Sequence, residues 1–108
     1  MHGRDAIILL LFLIIGSGAV LGQNIEQQLK LARSLEKQGD LRAAEQVYEK
    51  LIEIKPGNYQ VFSGLLAVKF HFQEYEEALT LISEQKDMFP NRPELEIKKA
   101  QIYYRRGR

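Results

Sequence analysis

Residues 31–56 read LARSLEKQGDLRAAEQVYEKLIEIKP, and residues 65–90 read LLAVKFHFQEYEEALTLISEQKDMFP. Set with Leu31 on Leu65, the two stretches share their punctuation. Asp40 meets Glu74, Leu41 meets Tyr75, Ala44 meets Ala78 and Pro56 meets Pro90. At twice that offset, Ala32 and Gly39 find Ala100 and Gly107. A fixed period of this kind marks a repeat array, in which each unit is one supersecondary pair that buries its apolar face against its neighbours.

The residues inside the period explain the pair. Leu29, Leu31, Ala32 and Leu35 fall close to helical spacing and form an apolar stripe. Gly39 permits the left-handed turn that ends this helix, and Asp40 can cap the next. Leu41, Ala44, Val47, Tyr48, Leu51 and Ile52 continue a helical face, with Ala44 small enough for close approach of the paired helix. Pro56-Gly57-Asn58 stops the second helix. The second unit repeats the scheme with Phe62, Leu65, Leu66 and Val68, then Tyr75, Ala78, Leu79, Ile82 and Phe89. Pro90 and Pro93 flank the next junction, and Pro93 suits a helix start.

On these residues the chain resembles the tetratricopeptide repeat family from Ile25 to Arg108. The resemblance implies an all-α fold of helix-turn-helix units stacked as a short right-handed α-solenoid. Unit one covers 25–58, unit two 59–92, and 93–108 is the first helix of a third unit or a capping helix. Three departures stand out. Gln73 occupies the place of Gly39, which costs about 1 kcal/mol if the turn is left-handed. Lys69 and Phe70 replace a single aromatic. Glu96 and Lys99 occupy places that are usually apolar.

Ahead of the repeats, the stretch from Ala6 to Gly22 carries no charge, is preceded by Arg4 and is broken by Gly16-Ser17-Gly18. This order of basic start, apolar core and short residues is that of a secretory signal peptide over residues 1–22, cut between Gly22 and Gln23. An uncleaved membrane anchor is the alternative, although a spanning helix wants about 20 apolar residues. The expected location is outside the cytoplasm, periplasmic or envelope-associated, or inner-membrane anchored if the segment is kept.

Composition narrows the chemistry. Fifteen basic and 14 acidic residues give a net charge of +1 over 108 residues, unlike a general nucleic-acid binder. There is no cysteine, which removes disulfides, thiolate catalysis and cysteine zinc sites. Ser34, Ser63 and Ser83 sit in no nucleophile elbow, and no glycine-rich phosphate loop is present. The expectation is a protein that is not an enzyme and carries no metal and no cofactor. Glu45, Glu49 and Glu53, spaced by four, read as a solvated face with Arg42 and Lys50 as salt partners. The basic end, with Lys98, Lys99, Arg105, Arg106 and Arg108, has two readings: a contact for an acidic partner or anionic lipid, or a solvated helix face with Glu94–Lys98 and Glu96–Lys99 pairs.

The resemblance implies a partner site. In this family the first helices of successive units line a concave groove that takes segments of other proteins. By position this groove holds Leu29, Arg33, Glu36 and Lys37 from unit one. Unit two adds Ser63, Ala67, Phe70 and His71, and unit three adds Ile97, Gln101, Tyr104 and Arg105. Arginines and exposed aromatics carry much interface energy, so a protein or peptide ligand is expected. Phe70 and Tyr104 have a second reading as packed core between repeats. A terminal-carboxylate clamp known in the family wants lysine or asparagine where Leu29, Arg33, Gly64 and Glu94 stand. Only Lys98 matches it.

The function implied is an exported scaffold for protein–protein interaction, of the kind that assembles envelope complexes. The alternatives are a membrane-tethered assembly factor, a small solenoid that self-associates, and the N-terminal adaptor of a longer protein with an effector or catalytic domain.

Overall fold

The computed structural model describes residues 21–107. The signal-peptide assignment therefore lies outside the described residues except for its last two. Five α-helices follow one another: α1 (Leu21–Lys37), α2 (Leu41–Ile54), α3 (Tyr59–His71), α4 (Tyr75–Gln85) and α5 (Glu94–Arg106), with a short 3₁₀ turn at Lys86–Met88 after α4. Each helix packs on the next, α1 on α2, α2 on α3, α3 on α4 and α4 on α5. This is the expected all-α stack of two-helix units. No helix among the described residues is long and apolar enough to cross a membrane.

The turns form as their residues dictate. After α1, Gly39 is left-handed at φ 84°, and the Asp40 amide donates back to the Leu35 carbonyl at 2.9 Å. After α3 the same turn recurs on Gln73 at φ 58°, with the Glu74 amide donating to the Lys69 carbonyl at 2.9 Å. Both close the orphan carbonyls at a helix end. Asp40 caps α2 by accepting from the Ala43 amide at 3.4 Å, and Asn58 caps α3 by accepting from the Val61 amide at 3.2 Å. Glu74, the counterpart of Asp40, makes no cap bond and turns instead to Arg42. Because Gln73 bears a Cβ in a left-handed turn, Gln73→Gly is expected to raise stability by about 0.5–1 kcal/mol in urea unfolding. A loss of stability would mean that the turn is held by something other than its backbone.

Burial follows position in the stack. α3 lies between α2 and α4 and buries two sides, through Val61, Phe62, Leu65, Leu66 and Val68. α1 and α5 each pack chiefly on one neighbour and bury one stripe: Ile25, Leu29 and Ala32 in α1, Leu95 and Ile102 in α5. In the repeat register Ala32 answers to Leu66, whereas Leu95 and Ile102 answer to Val61 and Val68. The end helices thus each bury only part of the surface that α3 buries. This explains why Leu31, the counterpart of buried Leu65, is 44% exposed, and why Ala100, the counterpart of buried Leu66, is exposed.

Two contacts lock the middle of the stack. Gly64 lies against the ring of Tyr48, and a Cβ there would clash with Cζ, Cε1 and the hydroxyl of that ring. The Tyr48 hydroxyl donates to Glu36 Oε2 at 2.7 Å, tying α2 to α1. Burial and the adjoining Glu36 carboxylate push this phenol well above its ordinary range.

Candidate functional site

The first helices of the units, α1, α3 and α5, carry the residues assigned to the groove. Leu29 is a correction. It is buried, 2% exposed, because α1 packs chiefly on α2 and that contact takes the edge of the stripe holding Leu29. Arg33 and Lys37 on α1 are exposed, as are Ala67 and His71 on α3, while Ser63 is half-buried with its hydroxyl donating to the Gln60 carbonyl at 3.3 Å. On α5, Ile97 and Tyr104 are 58% and 64% exposed, and Gln101 and Arg105 are exposed beside them. Ile97, Ala100, Gln101, Tyr104 and Arg105 line an open hollow of about 450 Å³.

Phe70 joins α3 to α5. Its half-buried ring meets Tyr75 edge-on with centroids 6.0 Å apart. Two cations from α5 stand over it, Lys98 Nζ at 4.8 Å and the Arg105 guanidinium at 5.5 Å from the ring centroid. Each such contact is electrostatically favourable, and it holds long cationic side chains in place. The structure therefore brings Phe70, Arg105, Tyr104 and Ile97 to one region, with Arg33 and Lys37 on α1 two helices away. Glu36, assigned to the same wall, is occupied by Tyr48.

Lys98 is absent from the expected groove because Glu94 stands one turn earlier and invites a surface pair. Glu94 accepts instead from the Tyr59 hydroxyl at 3.0 Å and pairs with Arg92 at 3.6 Å. The signal for Lys98 is its spacing of two helical turns from Arg105, which puts both on one face of a helix. The Glu96–Lys99 pair forms as expected, at 3.7 Å.

A second polar cluster lies between α2, α3 and α4. Lys69 Nζ sits 2.8 Å from Glu45, 2.6 Å from Glu77 and 3.7 Å from Glu74. Arg42 closes it from outside, 2.8 Å from Glu45 and 3.2 Å from Glu74, with its guanidinium 3.6 Å over the Phe72 ring. Glu45 is 5% exposed and Lys69 7%, so Glu45 does not belong to the solvated face read from its spacing. Burial opposes both charges. Hydrogen bonds donated by Lys69 and Arg42 overcome it to hold the Glu45 carboxyl below its ordinary range, and the bonds that Lys69 donates to Glu45 and Glu77 hold its ammonium above its own. Oxygens of Glu45, Glu74 and Glu77 come within 4.8 Å of one another, a spacing that could suit a metal ion. The Lys69 ammonium already stands among them, so the cluster is an internal ion-pair network.

Outside this network runs an open cleft of about 730 Å³, where Glu49 and Glu53 of α2 face Glu76, Glu77 and Glu84 of α4. Its rim is acidic, whereas Lys98 and Arg105 make the surface over Phe70 basic. The near-zero net charge hides this segregation.

A family model for the tetratricopeptide repeat matches residues 35–102. The chain belongs to the tetratricopeptide repeat family, and with it to a class of protein-interaction modules. No curated protein and no solved structure matches it.

Proposed function

We propose that the chain is a scaffold that holds a segment of another protein along the side formed by α1, α3 and α5, and that it does so without catalysis. The observation that carries this reading is the region around Phe70, where an aromatic ring, two ordered cations and the exposed Ile97 and Tyr104 lie together on a repeat fold of the interaction class. Aromatic and arginine anchors of this kind supply most of the energy in protein interfaces. One short face offers a modest interface, so micromolar affinity is expected, on the order of −8 kcal/mol.

A photo-crosslinking residue at Ala67 or Gln101 tests it in the cells of origin. Discrete crosslinked partners are expected from these two sites, and Phe70→Ala is expected to weaken them at least tenfold, about 1.4 kcal/mol. Equal crosslinking from Lys50 on α2, indifferent to Phe70→Ala, would remove the groove from the reading.

Export by residues 1–22 and a place in envelope assembly complete the proposal, supported by the uncharged stretch Ala6–Gly22. The intact mass of the protein from its own cells checks it. A chain beginning at Gln23 supports cleavage and release, and one beginning at Met1 supports a tethered scaffold.

A further inference from the structure

We infer that the partner segment is acidic, and that it places a carboxylate side chain between Lys98 and Arg105 with an adjoining apolar side chain in the hollow beside Ile97 and Tyr104. This rests on the reading of the α1, α3 and α5 side as the binding face and names the chemistry that the face selects. Lys98 and Arg105 are fixed over a single ring, 4.8 and 5.5 Å from the Phe70 centroid. Neither has a carboxylate within ion-pair distance among the described residues, in contrast to Arg42, Lys69, Arg92, Lys99 and Arg106. Among the described residues, Arg33 and Lys37 of α1 likewise have no carboxylate within ion-pair distance. Cations already ordered by an aromatic ring lose less freedom when an anion docks, and one carboxylate can accept from both.

Glu36 and Glu94, the nearby carboxylates, are held by the hydroxyls of Tyr48 and Tyr59. The hollow of about 450 Å³ starts at Arg105 and is otherwise walled by Ile97, Ala100, Gln101 and Tyr104, which suits an apolar side chain next to the anchored acid. Charge also sets orientation. An acidic segment is repelled from the cleft of Glu49, Glu53, Glu76, Glu77 and Glu84 and steered to the opposite charge. A hollow with Arg105 at its edge, beside the Lys98 and Arg105 pair over Phe70, favours a peptide over a lipid surface, which presents its anions on a broad plane.

The test uses the full chain and three pools of short peptides, acetylated and amidated so that no terminal carboxylate is present. All share leucine at the same spaced positions, and the remaining positions are Glu, Gln or Lys. In fluorescence anisotropy at about 0.1 M salt, where screening acts over about 10 Å, the Glu pool is expected to bind at least about tenfold tighter than the Gln pool. Lys98→Glu with Arg105→Glu is expected to reverse the order of the Glu and Lys pools. The milder Lys98→Gln with Arg105→Gln, checked for unchanged helicity, is expected to level them. Equal or undetectable binding of the three pools overturns the acidic partner. If the pools bind equally and Phe70→Ala weakens all of them, the binding face survives and only the partner chemistry falls. If Phe70→Ala changes none, the face falls too. Tighter binding to phosphatidylglycerol vesicles than to the Glu pool, lost in the charge-reversed variant, overturns the inference in favour of a membrane surface.

Discussion

Lys69→Met is expected to lower the unfolding free energy by about 3–5 kcal/mol, the cost of leaving buried charge without its partner. Methionine keeps most of the aliphatic volume, so little of the loss comes from a cavity. The loss comes from three carboxylates left within 4.8 Å of one another. Arg42 remains 2.8 Å from Glu45, which places the cost toward the lower end of the range. A total stability of about 5–15 kcal/mol is usual for a domain, so the variant sits near the edge of folding.

The pair of variants is more telling than the single one. Lys69→Met with Glu45→Leu removes both buried charges, while Glu74 keeps Arg42 as its partner and Glu77 is already exposed to water. The double variant is expected to be more stable than Lys69→Met alone. The pH dependence has a defined sign. In the native chain Glu45 is held below its ordinary range, so its stabilisation is present above about pH 4.5 and is lost as pH falls through the folded value. Lys69 is held above its ordinary range, so its share is present below about pH 10 and is lost as pH rises through the folded value. In Lys69→Met the penalty instead fades in acid, where protons neutralise the carboxylates. Urea unfolding at neutral pH and near pH 4 reads the acid side, and a series carried above about pH 10 reads the Lys69 share. A single-variant cost under about 1 kcal/mol would mean that water already solvates the cluster.

This network is also where local sequence patterns mislead. A lysine within a helix and glutamates spaced by four look solvated, because exposed charge is the common case. Recognising Lys69 as buried requires its partner Glu45, which lies on another helix. The turns are different. Gly39, Asp40, Asn58 and the repeat register act through local backbone, and local signals suffice for them. Leu29 shows the intermediate case. Helical spacing identifies its stripe, yet which edge of the stripe meets α2 depends on how many neighbours α1 has. Phe70 is legible by position, and the cations over it are half legible, through Arg105 but not Lys98.

Phe62→Ala is expected to cost about 3–5 kcal/mol, by the scale that governs large buried aromatics. Phe62 is fully buried and packs against Phe89 at 5.1 Å and Tyr59 at 5.9 Å between ring centroids. Phe89 meets Tyr59 edge-on at 5.1 Å, so the three rings form a closed cluster. The Arg92 guanidinium lies 3.8 Å over the Tyr59 ring, and the Tyr59 hydroxyl donates to Glu94 at the start of α5. The cluster thus joins the start of α3 to the segment that leads into α5. Emptying the position of Phe62 leaves a cavity that Phe89 and Tyr59 cannot both fill, since each is anchored by its other contacts. Phe62→Leu preserves most of the volume and is expected to cost less than about 1.5 kcal/mol. Gln101→Ala, exposed on α5, is expected to stay within about 0.5 kcal/mol. Because each unit is held by its neighbours, the loss is expected to appear first as faster amide exchange in α5. Exchange that rises equally in α1 and α5 would show instead that the described helices unfold as one cooperative body.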